Sequence, residues 1–282
     1  MYKFPIGVMV DSFKLDTKSA VLKAKEIGAQ GLQMYCTNGE NSPENLTGSK
    51  RKELLDFVKS NGLVFSAICG DLGMGFWRKE LNPGLIDKSK RIMELAKELE
   101  SDVVTTHIGV VPSDPEHERY KIMQEACFEL ANYADSVGSH FAIETGPEAS
   151  AVLKEFLDSL GSKGVAVNLD PANLAMVTRD DPVQAVYNLK DYIVHTHAKD
   201  GVNLRICDPE IEYRIIPGKN PEGSRSYREV PLGQGSVDFP NYLKALDDVG
   251  YKGFLTIERE CGQDPAKDIM TAAEFLRKVI NG

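Results

Sequence analysis

Positive charge is in short supply in this sequence. Lys and Arg total 33 against 42 Asp and Glu, a net −9 over 282 residues with His neutral. Binding to nucleic-acid phosphate or to an anionic membrane surface is driven mostly by Lys and Arg. A general affinity for either is therefore argued against, while one local basic pocket is not. Long apolar runs are missing too. The longest near the start, Ile6–Val10, is too short for a signal-peptide core, and nothing approaches the roughly 20 apolar residues of a membrane span. The expectation is a cytoplasmic protein with neither nucleic acid nor membrane as partner. Cysteines are few, odd in number and scattered (Cys36, Cys69, Cys127, Cys207, Cys261), with no CxxC pair. That pattern fits reduced, mostly buried thiols better than a disulfide framework or a thiolate zinc site. No GxGxxG or Walker A signature follows a strand, so the phosphate cradle of a nucleotide-binding sheet is absent as well.

What is present is alternation. Short β-rich runs lie near Ile6–Val10, Gly31–Cys36, Val64–Ile68, Val103–His107, Phe141–Glu144, Val165–Asp170, Ile193–His197 and Phe254–Glu258. Between and after them, residues 17–28, 49–60, 85–99, 115–137, 149–160, 181–190, 239–248 and 265–280 repeat apolar residues at helical spacing. Glycines at 28, 62, 138, 161 and 250 mark helix stops, and Asp16, Ser49, Asp114, Asp180, Asp238 and Asp264 read as N-caps. Eight β/α units in a chain of this length predict a closed parallel (β/α)8 TIM barrel, which typically takes about 250 residues, rather than an open doubly wound sheet. No linker or low-complexity tract divides the chain, so residues 1–282 are read as a single domain. One stretch breaks the rhythm: a long connection at about 201–235, rich in charge, Gly and Pro, after the seventh run. A loop of that length in a compact domain is functional, disordered or a surface insertion. In a barrel it lies over the C-terminal mouth, where it predicts a lid.

Alternate residues of a barrel strand point inward, and functional groups come from the strands' C-terminal ends. By that parity Ala142 and Glu144 oppose Phe141 and Ile143. Ala166, Asn168 and Asp170 oppose Val167 and Leu169, His195 and His197 oppose Val194, and Thr256 and Glu258 oppose Leu255 and Ile257. The polar set faces the axis. Glu144, Asp170, His197 and Glu258 then converge on one mouth, and three carboxylates sharing a partly dry space require a compensating cation. They are read as ligands of one divalent ion, Mn, Mg, Co or Zn, among which the sequence does not choose.

Further polar groups are candidates for substrate contact. His107 is inward by parity, with a plain core position as the alternative. His195 stands one pleat below His197 and serves either substrate or the ligands from behind, or simply packs. Lys199, Arg259 and Glu260 follow ligand positions, with ion pairing among neighbours as the alternative. Trp77 offers an apolar wall for a sugar face or anchors its loop. Gly233-Gln-Gly235 is either an anion cradle for a phosphate or a plain turn.

The segments Ala142-Ile-Glu-Thr145, Asn168-Leu-Asp-Pro-Ala-Asn-Leu174, His195-Thr-His-Ala-Lys-Asp200, Pro231-Leu-Gly-Gln-Gly-Ser-Val-Asp-Phe239 and Leu255-Thr-Ile-Glu258 resemble the xylose isomerase-like TIM barrels. Within them the likeness is to the sugar phosphate isomerase/epimerase family of ketose 3-epimerases, hydroxypyruvate isomerases and inosose dehydratases. The resemblance spans essentially the whole chain. It implies that Glu144, Asp170, His197 and Glu258 hold the metal, and that Glu144 and Glu258 act as acid and base on the carbon beside a carbonyl. The implied substrate is a small-molecule carbohydrate. Two positions depart from the epimerase pattern: Asn173 stands where a histidine is usual, and Ser150 where a substrate-binding glutamate is usual, with Glu148 nearby. These departures raise dehydration of a keto-sugar or keto-inositol as the alternative to isomerisation or epimerisation. An endonuclease IV-like DNA repair enzyme needs many more histidines than the five here. A catalytically silent sugar-binding barrel is opposed by the four ligand positions. The sequence leaves homo-oligomerisation open.

Overall fold

The eight β-rich runs form a closed parallel barrel in a computed structural model, which describes residues 1–218 and 225–282. The strands are β1 (Ile6–Met9), β2 (Gly31–Tyr35), β3 (Val64–Cys69), β4 (Val103–Thr106), β5 (His140–Glu144), β6 (Val165–Leu169), β7 (Ile193–Ala198) and β10 (Leu255–Ile257). Around the barrel they follow one another in chain order, and β10 closes the ring between β7 and β1. Outside lie α1 (Thr17–Glu26), α2 (Ser49–Ser60), α3 (Asn82–Glu98), α4 (Glu118–Ser136) and α5 (Ser150–Leu160), with α7 (Pro182–Leu189), α9 (Phe239–Asp248) and α10 (Pro265–Asn281) completing the layer.

The alternation along each strand explains the two-sided packing. Outward residues Phe141, Ile143, Val167, Leu169, Leu255 and Ile257 join one apolar core with helix residues such as Phe156, Leu189, Leu246 and Leu276. Each fully buried side chain of this size is worth about 1.5–3 kcal/mol. Inward polar residues bond to one another across the barrel: Gln33 of β2 donates to Thr105 of β4 at 2.8 Å, and Gln33 meets His197 of β7 at 2.9 Å.

Element ends follow local chemistry. Asp16, Asp238 and Asp264 cap α1, α9 and α10 as expected, each accepting a backbone N–H of the first turn. The other three caps differ. Ser49 is already helical and follows Gly48. Asp114 closes a turn onto Glu116, which passes the cap of α4 to His117. Asp181 caps α7, while Asp180 accepts from Ser150 N at the start of α5. Two short helices were not anticipated: α6 (Pro171–Asn173), continued by a π turn over Leu174–Thr178, and α8 (Pro209–Glu212).

The long connection after β7 has structure of its own. Strands β8 (Asp200–Asn203) and β9 (Tyr227–Val230) pair antiparallel, Asp200 opposite Val230. Residues 219–224, part of the Gly/Pro-rich stretch expected here, lie outside the described residues. Gly233 and Gly235 do form an anion cradle, but the anion is the protein's own. Their N–H groups donate to the Asp200 carboxylate at 3.0 and 2.8 Å, joined by Gly201 and Val237. A phosphate has no place there. Cys36, Cys69 and Cys127 are buried, Cys207 is half-buried and Cys261 exposed, all as free thiols. Among the described residues no helix is long and apolar enough to cross a membrane.

Candidate metal centre

Strands β5, β6, β7 and β10 bring Glu144, Asp170, His197 and Glu258 to one end of the barrel, where one donor atom from each lies within 4.8 Å of the others. Donors placed about 2.0–2.2 Å from an ion stand about 4 Å apart across it, so the spacing suits a single ion. All four side chains are buried. His197 Nδ1 lies 3.2 Å from Asp170 Oδ2, 3.4 Å from Glu258 Oε2 and 3.6 Å from Glu144 Oε1. Burial alone would lower the imidazole pKa, but the carboxylates of Glu258, Glu144 and Asp170 together hold it well above its ordinary value. Three buried carboxylates thus draw positive charge to the point where a cation would stand. Oxygen donors with one imidazole suit a hard or borderline divalent ion. The side chain of His197 is braced from behind by Gln33, whose amide oxygen faces Nε2 and leaves Nδ1 toward the cluster.

The two glutamates have different surroundings. Glu258 accepts from Lys199 Nζ at 2.9 Å, and the same ammonium reaches Glu260 at 2.5 Å. Burial pushes the Glu258 carboxyl up, yet Lys199 and His197 overcome this and hold it at about 2. Lys199 is likewise kept protonated, since Glu258, Asp170 and Glu260 outweigh its burial. Glu144 is held by amides instead: Asn168 Nδ2 donates to Oε2 at 3.0 Å and Asn173 Nδ2 to Oε1 at 3.1 Å. His107 Nε2 adds a contact to Oε1 at 3.4 Å. Burial raises the Glu144 pKa, but His107 and His197 lower it further, to well below the carboxylate range.

Above the cluster opens a cavity of about 150 Å³. His107, Asn173, Lys199 and Glu260 line it with Glu144 and Glu258, so these candidates are brought together. Three others are not. His195 is 1% exposed and lies beneath the cluster, bonded to Asn168 and Thr256. Arg259 turns outward and ties β9 to α10 through Glu229 and Asp268. Trp77 packs by the backbones of Gly75 and Gly109 with Arg78 stacked on its ring, and it does not line the cavity. Aromatic walls come instead from Tyr35, Tyr213 and Tyr227, with Asp71 and Arg225 also at the mouth. Tyr213, Arg225 and Tyr227 belong to the long connection, where no periodicity gives a facing. Gln33 was missed as well, although a polar residue inside an apolar strand run is a signal the sequence carries. Ser150 heads α5 and bonds Asn188, and Glu148 points at Val111 N, so neither supplies the missing epimerase glutamate in the cavity.

In closed parallel barrels the functional sites are built at the C-terminal ends of the strands, where these residues converge. The sequence profile of the Xylose isomerase-like TIM barrel family matches residues 21–279, and the chain belongs to that family. It is 27% identical over 128 residues to an inosose dehydratase of Lacticaseibacillus casei, covering 45% of this chain and 41% of that protein. Its fold is similar to that of a xylose isomerase domain protein from Planctomyces limnophilus, with a TM-score of 0.79, 24% identity, and coverage of 99% of this chain and 97% of that one. A D-tagatose 3-epimerase-like protein aligns with a TM-score of 0.73 and 20% identity, over 98% of both chains. At these identities the two solved structures show the fold alone.

Proposed function

We propose that this protein is a metal-dependent enzyme that isomerises or epimerises a sugar, sugar phosphate or keto-sugar derivative by moving a proton on the carbon beside a carbonyl. The observation that carries this reading is the pairing of Glu144 and Glu258 in one buried donor set with Asp170 and His197, beneath a cavity of about 150 Å³. When bound by these four residues, a divalent ion supplies Lewis-acid polarisation of the carbonyl. The chain's own groups do the rest. Glu144 and Glu258 both rest as carboxylates and serve as base and acid: one removes the proton from the carbon, and the other, once it has taken a proton from solvent, delivers that proton to the carbon, after which the first releases its own to solvent. Lys199 holds Glu258 in place and Asn168 with Asn173 holds Glu144. His107, Asn173 and Asp71 offer hydrogen bonds to hydroxyls, and the rings of Tyr35, Tyr213 and Tyr227 cover apolar sugar faces.

A second reading, dehydration of a keto-sugar or keto-inositol, is favoured by Asn173. Its amide lies on Glu144 Oε1 where a histidine would bring a transferable proton. Both readings share the first proton removal.

The test uses purified protein loaded with Mn²⁺ or Co²⁺ and a panel of keto-sugars in D₂O. A turned-over substrate should take up deuterium beside the carbonyl. Glu144→Gln and Glu258→Gln should each lower turnover by about 10²–10⁴-fold, and one of them should still exchange the proton. Turnover without solvent deuterium and at normal rates in both variants refutes the two-glutamate chemistry. Loss of water from the product, read by mass, selects the second reading.

A further inference from the structure

We infer that His195 is a positioning residue. From beneath the cluster it holds the Asn168 amide in the one direction the Glu144 carboxylate accepts, and through that amide it supports Glu144 in its place toward the ion. The inference rests on the metal reading above.

One charge sets the whole chain of donors and acceptors. The Glu144 carboxylate only accepts, so Asn168 must turn its NH₂ to Oε2, 3.0 Å away. Its carbonyl oxygen then faces His195 Nδ1 at 2.8 Å, and an oxygen there requires that Nδ1 carry the proton. Nε2 of the neutral ring is left bare and accepts the Thr256 hydroxyl at 2.8 Å. The same Asn168 nitrogen lies 3.2 Å from His197 Nε2, a contact that favours the opposite turn of the amide. His197 Nε2 already has Gln33 as its acceptor, however, and a flipped amide would set oxygen against carboxylate oxygen. The charged contact decides.

The chain of bonds runs across four neighbouring strands, from Thr256 on β10 to His195 on β7, Asn168 on β6 and Glu144 on β5. Thr256, His195 and Asn168 are each at most 1% exposed, so no water competes and no substrate reaches them. Gly7 on β1 makes the room, since a Cβ there would lie 2.6 Å from the Thr256 hydroxyl oxygen. A ring that donates on one side and accepts on the other can be replaced by any neutral group that does both.

That property gives the test. A glutamine offers an N–H and a carbonyl; a leucine offers neither. Wild type, His195→Gln and His195→Leu are titrated with Co²⁺ against a chromophoric chelator, and the visible spectrum of the bound Co²⁺ is recorded. Wild-type affinity and spectrum should be largely retained by His195→Gln. His195→Leu should weaken Co²⁺ binding by about 10–100-fold and alter the spectrum, as loss of a group supporting a metal ligand does. Thr256→Val, which removes only the far hydroxyl, should act in the same direction and by less, and it keeps the test open if the leucine variant does not fold. Wild-type Co²⁺ binding in both His195→Leu and Thr256→Val, with circular dichroism unchanged, overturns the inference. So does a folded His195→Gln that binds as poorly as His195→Leu, because the imidazole itself is then required. Absence of Co²⁺ binding by the wild type defeats the metal reading, and with it this one.

Discussion

Glu148 stands four residues after Glu144, yet it shares none of that residue's hydrogen-bond donors. Its side chain is 6% exposed, one oxygen accepts from Val111 N at 3.1 Å, and the other has no hydrogen-bond partner among the described residues. Burial pushes its carboxyl up from 4.5 to about 8, against the opposing pull of Val111 N–H and His107. The folded state therefore holds a proton that the unfolded state has released between those two values. Stability contributed by the neutral carboxyl is present in full below the unfolded pKa and is lost as pH rises through the folded one. Glu148→Gln should match wild type in melting temperature at pH 5 and exceed it at pH 9. A shift of this size corresponds to a few kcal/mol, at roughly 2–4 °C per kcal/mol. A variant less stable than wild type at pH 9 would show that the charged carboxylate is what the fold requires. Parity sorts the other residues of the site. Lys199 shares the parity of His197, Glu260 that of Glu258, and both reach the cavity, whereas Arg259 has the parity of Ile257 and points outward.

Among the elements, the β8–β9 ribbon is the one the sequence described least well. It is tied down at two carboxylates. Asp200 gathers the N–H groups of Gly201, Gly233, Gly235 and Val237, and Glu229 binds Arg259 together with the backbone of Glu260 and Cys261. Buried donors left unpaired cost about 1–3 kcal/mol each. In Asp200→Ala the amide protons of Gly233, Gly235 and Val237 should exchange faster, and KM for the best substrate should rise because Tyr213 and Tyr227 lose their support. Bound metal should remain, since the donor set lies on β5, β6, β7 and β10 or just beyond their ends. Unchanged exchange at those amides would show that Asp200 is not what secures the ribbon. The tie was invisible in the sequence because its donors stand up to 37 residues from their acceptor. Helix and strand patterns repeat over a few residues; this contact does not repeat at all.

For the molecule as a whole, the proposed metal site predicts that stability is coupled to the ion. Glu144, Asp170 and Glu258 bring three carboxylates into the barrel, and a ligand that binds only the folded chain stabilises it by mass action. At a free metal concentration 100 times Kd the gain is about 2.7 kcal/mol. Added Mn²⁺ or Co²⁺ should therefore raise the melting temperature of wild type, and a chelator should reverse the effect. Asp170→Ala should lose most of this response and should be purified with little bound metal. Equal metal-induced shifts in both proteins would place the binding elsewhere.

The strand count, the closed barrel and the four convergent donors were legible in the sequence because each rests on a short-range rule. Short β-rich runs marked every barrel strand to within one residue at either end, and alternation along four of them put Glu144, Asp170, His197 and Glu258 on the inner face. Hydrophobic burial enforces that rule at each strand independently, so no knowledge of the partner strand was needed. The direction of the Asn168 amide, the tautomer of His195, the capture of Asp200 by the Gly233 turn and the tyrosine walls of the cavity were decided only in three dimensions. Each depends on which charge or donor arrives from a distant part of the chain. A carboxylate that can only accept, placed beside an amide that can turn either way, settles the arrangement once the fold has brought them within 3.0 Å.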